Sequence, residues 1–335
     1  MTHACHSVCQ TACPLKNEIL LHDINYTRQQ LENAVAEAEK FHADFLATTQ
    51  INEAMGLVNP VLPQWAPKAL RKLGITGAVL EKIGSMAFAK RRPEDVSPFC
   101  NYIEACLAEQ KPLQFRVGFG PLKNIRYCGP EQSPDLAEYL TFIQLARLMH
   151  SVSAVYPHGV RVQIVPDDLR AMQANKCLQC HVHCYIGGLQ KMVKLLSFDK
   201  WMYIEFGQSA LFEEYRVYDY FVAAEEQLQH WRKNSPEEFS LRWSRALENA
   251  QKNLNPETDN ETNEAIEGAA WRYLVTHQSE VLSGLWGTHD AFPLRYGKHS
   301  QNYQLYTFGT KKTKLPWQIS LPGHLLKQKP NALNL

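Results

Sequence analysis

Between Pro112 and Asp168 the hydrophobic period of the chain switches twice, and this restricts the available folds more than any other feature. PLQFRVGFG, Pro112 to Gly120, is a short strand-like run ending in glycines. SPDLAEYLTFIQLARLMHSVSAVY, Ser133 to Tyr156, then reads as a helix. Ser133 suits an N-cap, Pro134 the first helical position, and Asp135 puts negative charge on the first turn. GVRVQIVPDD, Gly159 to Asp168, alternates Val160, Val162 and Ile164 as a strand and ends in two aspartates. WMYIEF, Trp201 to Phe206, is a further strand candidate. Strand, helix, strand, helix, strand is the pattern of an α/β domain with a largely parallel sheet.

The flanks read differently. In YTRQQLENAVAEAEKFHADFLATTQ, Tyr26 to Gln50, residues Leu31, Ala34, Ala38, Phe41 and Phe45 recur at spacings of three and four, one apolar stripe of a helix. Pro60, Pro63 and Pro67 interrupt it, and further helices are expected near 67–89 and 99–109. Helices resume over about 209–253, pass a polar acidic loop (Asn255 to Glu264) and continue to about 282, after which the chain turns β-like. The expected organisation is a Cys-rich tail at 1–14, a helical N-terminal region at 15–110 and an α/β domain at 111–335 that packs with those helices as one unit. No internal repeat is visible. The glycines after the first strand do not form GxGxxG, so the nucleotide-binding fingerprint is absent.

Composition excludes several classes of partner. The 335 residues carry a formal charge of +1, with 45% hydrophobic and 21% charged residues, which gives no electrostatic reason to expect nucleic acid or a membrane surface. No apolar run approaches the ~20 residues that a membrane-spanning helix needs. The first residues lack a basic start followed by an apolar stretch, so a cytoplasmic location is the expectation. In that reducing compartment the nine cysteines are free thiols or metal ligands rather than disulfides.

Ligands of an open α/β sheet bind at the carboxyl ends of the strands. Three polar groups fall there: GFGPLKN, with Gly120 in a turn and Lys123 as a cation; Asp167 with Asp168; and Arg295 with His299, four apart and so on one face of a strand. An arginine fork beside an imidazole suits a carboxylate or phosphate. Each group also has a plainer reading, as a solvated lysine, a helix cap or an ordinary surface pair.

CLQCHVHC, Cys177 to Cys184, is the other concentration of chemistry. CLQCH matches the attachment pattern of c-type haem, but that attachment takes place outside the cytoplasm. Cys177, Cys180, His183 and Cys184, with His181 as a further ligand, are candidates for a tetrahedral zinc or iron site. Cys5, His6, Cys9 and Cys13 offer a second half-site. Buried free thiols packing as small hydrophobes are the alternative.

The run PDLAEYLTFIQLARLMHSVSAVYPHGVRVQIVPDD resembles the central segment of the isonitrile (isocyanide) synthases, the family that includes the enzymes of paerucumarin and dityrosine biosynthesis. That family has a PDxAE helix start, a helix ending in I-Y, a PG turn and a strand ending in SDG. The corresponding residues are Pro134-Asp135-Leu136-Ala137-Glu138, Val155-Tyr156, Pro157-His158-Gly159 and Pro166-Asp167-Asp168. Upstream, F-P-x-K-S-P-N is similar to Phe119-Gly120-Pro121-Leu122-Lys123-Asn124. Downstream, I-R-L-S-I-H-P is similar to Leu294-Arg295-Tyr296-Gly297-Lys298-His299-Ser300. Order and rough separation agree from 112 to 300. The SDG glycine and the serine–proline after the lysine are missing, and CLQCHVHC lies outside the pattern.

The resemblance implies a modified Rossmann-like fold with helical additions. It implies conversion of an amino acid's α-amine to an isonitrile, with ribulose 5-phosphate as co-substrate supplying the carbon and no cofactor required. Lys123, Asp167, Glu138 and His299 are the implied acids and bases, and Arg295, Lys123, Gly120 and Tyr156 the implied substrate and phosphate contacts. Asp135 and Tyr156 serve equally well as a helix start and a core residue. An iron- and 2-oxoglutarate-dependent oxygenase acting downstream is the implied partner enzyme.

Overall fold

Leu113, Phe115, Val117 and Phe119 are buried on one face of a strand and Arg116 on the other. Val160, Val162 and Ile164 are buried on one face of a second strand and Gln163 and Val165 on the other, so two adjacent strands are covered on both faces. That is the burial of central strands in a parallel sheet. The computed structural model describes residues 25–54, 64–124, 128, 133–205, 217–254, 262–297, 301–308 and 314–321. Within these, β2 (Leu113–Phe119) pairs in parallel with β3 (Val160–Pro166), in register from Leu113 opposite Val160 to Phe119 opposite Pro166. On the other side of β2 lies β5 (Phe292–Arg295), also parallel, with Val117 opposite Leu294. β4 (Met202–Ile204) flanks β3, and β6 (Tyr303–Leu305) flanks β5. β1 (Ala89–Arg91) closes the sheet antiparallel to β6, giving the order β1-β6-β5-β2-β3-β4. The strands progress one way from β2 to β4 and the other way from β5 to β6. The topological switch point therefore lies between β2 and β5.

The N-terminal region is not wholly helical, because β1 lies inside it. Its helices are α1 (Arg28–Ala54), α2 (Ala66–Ile83) and α3 (Ser97–Ala108). The stripe on α1 packs as its spacing predicts: Leu31 and Ala38 are buried, and Phe41 and Phe45 meet the His150 ring edge-on. These helices and the sheet share one hydrophobic core.

α4 (Leu136–Ser153) is the central helix, buried on nearly every side. Its cap is Asp135, two residues later than Ser133. The Asp135 carboxylate accepts from Ala137 N–H (2.9 Å) and Leu321 N–H (2.7 Å), while Glu138 accepts from Asp135 N–H (2.8 Å). This capping box also anchors a distant segment, which a cap at Ser133 would not reach. Short α5 (Asp168–Gln173) and α6 (Gln179–Leu195) connect β3 to β4.

After β4 come α7 (Val217–Asn234), α8 (Pro236–Asn253) and α9 (Asn263–Leu282). Pro236 at the first position of α8 separates it from α7, within the stretch where helices were expected. These three helices form a bundle with its own core, including Ala224, Leu228, Phe239, Ala246 and Leu274. No helix among the described residues is long and apolar enough to cross a membrane.

Candidate active site

A cavity of about 440 Å³ opens at the carboxyl ends of β2, β3 and β5, beside the switch point. The sheet contributes Gly118 to Leu122, Asp167 and Arg295 to Gly297, and the bundle contributes Asn249, Asn253, Tyr273, His277 and Glu280. Such a crevice is where doubly wound sheets bind ligands.

The glycines of GFG make room for protein side chains. A methyl group on Gly120 would lie 2.1 Å from Cγ of Trp317, and one on Gly118 would lie 3.1 Å from both Arg295 Nη1 and Trp286 Cη2. Trp317 therefore sits directly on the β2 backbone, 4.8 Å from the Phe119 ring and 6.2 Å from Tyr296. This aromatic corner forms the apolar part of the wall.

The polar part is a chain of alternating charges. Asp167 Oδ2 lies 2.7 Å from Arg170 Nη1, and Arg170 Nη2 lies 2.5 Å from Glu280 Oε1. Glu280 Oε2 accepts a hydrogen bond from the Trp286 indole at 3.0 Å. The Arg295 guanidinium lies over the Trp286 ring, 3.3 Å from its centroid. Asp167 is fixed at the strand end by its own N–H, which donates to Phe119 O at 2.9 Å.

Burial pushes the Asp167 carboxyl up to about 7; Arg170 and Arg295 pull it down, while Glu280 and Asp168 add to the rise. Burial opposes ionisation of Glu280 too, but Arg170, Arg295 and His277 outweigh it and hold Glu280 below the ordinary carboxylate value. Burial lowers Arg295 to about 10, which still leaves it charged at neutral pH. Asp167 Oδ1, Arg170 Nε, Arg295 Nε and the Tyr296 hydroxyl are all buried without a partner among the described residues. Each such group costs about 1–3 kcal/mol, and their gathering beside one cavity marks it as a site.

Several expected site residues stand elsewhere. Lys123 is buried beneath the cavity, where four oxygens surround its amine: Glu138 Oε2 (2.8 Å), Asp135 Oδ1 (3.1 Å), Ile319 O (2.8 Å) and Pro316 O (3.0 Å). Burial opposes its charge, but the two carboxylates more than compensate and raise its pKa above the ordinary lysine value. Glu138 is equally enclosed and also accepts from Tyr185 OH at 2.7 Å. The pair ties α4 to the Pro316–Ile319 segment, and neither residue lines the cavity. Tyr156 is at the wrong end of the sheet for a ligand contact: its hydroxyl donates to Lys111 O at 2.6 Å, just before β2 begins. Asp168 is buried in the first turn of α5. His299 lies outside the described residues.

The cysteine cluster is not a cluster in space. Cys177 precedes α6 and lines the cavity, whereas Cys180, His183 and Cys184 are carried along α6, with Cys184 exposed. His183 Nε2 lies 3.4 Å from Gln179 Nε2 on the same helix. Among the described residues no three His, Cys, Asp or Glu side chains are placed to hold a metal ion. Cys5, His6, Cys9 and Cys13 lie outside the described residues.

Sequence reasoning missed Arg170, Glu280 and Trp286. Arg170 was signalled by its i,i+3 spacing from Asp167 at a helix start. Glu280 and Trp286 carry no local signal, since only the docking of the bundle brings them to the strand ends.

No family model and no curated protein matches the sequence. Among solved structures, the PvcA protein from Pseudomonas aeruginosa shares the fold, with a TM-score of 0.54 over 71% of this chain and 87% of that one, at 14% identity. The likeness to PvcA carries the α/β architecture and no individual side chain, so the chemistry of the cavity rests on the residues in it. Two guanidiniums can hold an anionic group, and a carboxyl with its pKa near 7 can take up or release a proton at neutral pH.

Proposed function

We propose that the chain is an enzyme of the isonitrile synthase type, which converts the α-amine of an amino acid to an isonitrile with ribulose 5-phosphate as the carbon donor. The observation that carries this reading is the Asp167–Arg170–Glu280–Arg295 charge chain at the switch point of a sheet whose fold is shared with PvcA, an isonitrile synthase of paerucumarin biosynthesis. The ordered motifs from Phe119 to Arg295 support it independently.

In this reading Arg295 and Arg170 hold the phosphate, as planar guanidiniums suit it. Asp167 moves protons during condensation of the amine on the ketone and the cleavages that follow. Lys123 and Glu138 hold α4 to the Pro316–Ile319 segment beneath the cavity. The reaction draws its carbon from a co-substrate and needs no metal or organic cofactor. An iron- and 2-oxoglutarate-dependent oxygenase is the proposed next enzyme.

The test is incubation of the protein with ribulose 5-phosphate and a panel of amino acids, followed by mass spectrometry or tetrazine trapping. The expected result is isonitrile from at least one amino acid with wild type and none with Asp167→Asn. If no amino acid gives product with the wild type, the reading fails.

A further inference from the structure

We propose that Glu280 is a positioning residue: from the helical bundle it grips Arg170 and Trp286, and through them it sets the ion pairing of Asp167 and the orientation of Arg295. This rests on the reading of the cavity as the reaction site, and it assigns the bundle a part in that site beyond walling it.

Glu280 sits in the last turn of α9, 2% exposed. A bundle packing only for stability would place an apolar side chain there, because desolvating a carboxylate costs several kcal/mol and buried ion pairs seldom repay it. Glu280 instead spends both oxygens on groups outside the bundle, the Arg170 guanidinium at 2.5 Å and the Trp286 indole at 3.0 Å. Arg170 is the group that pairs with Asp167 at 2.7 Å, and Trp286 is the surface under Arg295 at 3.3 Å. One carboxylate thus reaches both sheet-borne charges through one intermediary each.

The charges facing Asp167 can be enumerated. Its own helix supplies Arg170 and Asp168, β5 supplies Arg295, and α9 supplies Glu280, with Tyr273 and His277 on the same cavity wall. The end of β2 offers the Phe119 carbonyl, which accepts from Asp167 N–H. Asp167 and Glu280 balance Arg170 and Arg295. Neutralising Glu280 leaves two cations facing Asp167, so its carboxylate is held more firmly and gives up its affinity for a proton.

The test compares Glu280→Gln and Glu280→Asp with wild type by ¹³C NMR of aspartate carboxyls, with Asp167 assigned by its loss in Asp167→Asn. No substrate is needed, so the result stands whether or not isonitrile is made. The expected result is a graded fall in the Asp167 midpoint: a small one in Glu280→Asp, where the charge retreats, and about one unit or more in Glu280→Gln. Where isonitrile is made, the acid limb of its pH profile moves by the same amount. An Asp167 midpoint unchanged in a folded Glu280→Gln would overturn the proposal and leave Glu280 a packing residue. Should the glutamine variant not fold, Glu280→Asp decides alone: a lowered midpoint supports the proposal and an unmoved one overturns it.

Discussion

The Arg295 guanidinium lies over the Trp286 indole at 3.3 Å, close against the backbone of Gly118, where an added methyl group would lie 3.1 Å from both. A planar cation on an aromatic face is a geometry that lysine cannot reproduce. Arg295→Lys is therefore expected to raise the KM for ribulose 5-phosphate by about 10- to 100-fold, the ~1.4–3 kcal/mol of a lost charge-assisted contact. The circular dichroism of the folded protein should not change. Steady-state kinetics at fixed pH checks it.

Lys123 and Asp167 should separate stability from activity. Lys123→Met strands Glu138 and Asp135 in a buried site, and breaking such a pair costs about 3–5 kcal/mol. Asp167→Asn keeps most of its shape and leaves Arg170 paired with Glu280, so it is expected to cost about 1 kcal/mol at about pH 4.5 while abolishing product. Urea unfolding and the isonitrile assay on both variants test the contrast.

The raised carboxyl of Asp167 predicts a pH slope in stability. Its pKa is about 7 in the folded protein, against an ordinary value of about 4 in the unfolded chain. Between these values the folded state holds a proton that the unfolded state has released, so stability from this group is full below about pH 4 and is lost as pH rises to about 7. Wild type should lose stability relative to Asp167→Asn across that window and not above it. Urea midpoints for both proteins between pH 4.5 and 8 check the sign.

The cysteines should react according to their surroundings. Burial pushes the Cys177 thiol up to about 12, whereas Cys184 is exposed. Iodoacetamide should label Cys184 early and Cys177 last, with no change in the Cys180 or Cys184 rates when a chelator is added. Faster labelling of both after chelation, with release of zinc, would restore a metal site on α6.

The sheet was legible because strands buried on both faces announce themselves: FRVGF and VRVQIV give position, direction and carboxyl ends with no knowledge of their neighbours. Asp167 and Arg295 followed from those ends. The roles expected of Lys123 and Glu138 did not follow, because a charged residue near a strand end reads the same whether it faces a ligand or is enclosed by protein. The return of Pro316–Ile319 completes the enclosure that Asp135 and Glu138 begin around Lys123, and a contact between residues 193 positions apart leaves no local trace. The same holds for Glu280 and Trp286. CLQCHVHC is a different case, since closeness in sequence does not by itself fix which of its side chains meet once a helix runs from Gln179 through Cys184.

The bundle keeps a core separate from that of the sheet, yet it supplies one wall of the cavity through Asn249, Asn253 and His277. Asn253 is tied to the sheet side, its Oδ1 accepting from Asn124 Nδ2 at 3.0 Å, whereas Asn249 and His277 come from the bundle helices alone. Under the proposed function, a descendant of this chain can trade the amino acid it accepts by redecorating that wall, while the Asp167 and Arg295 side of the cavity is inherited intact.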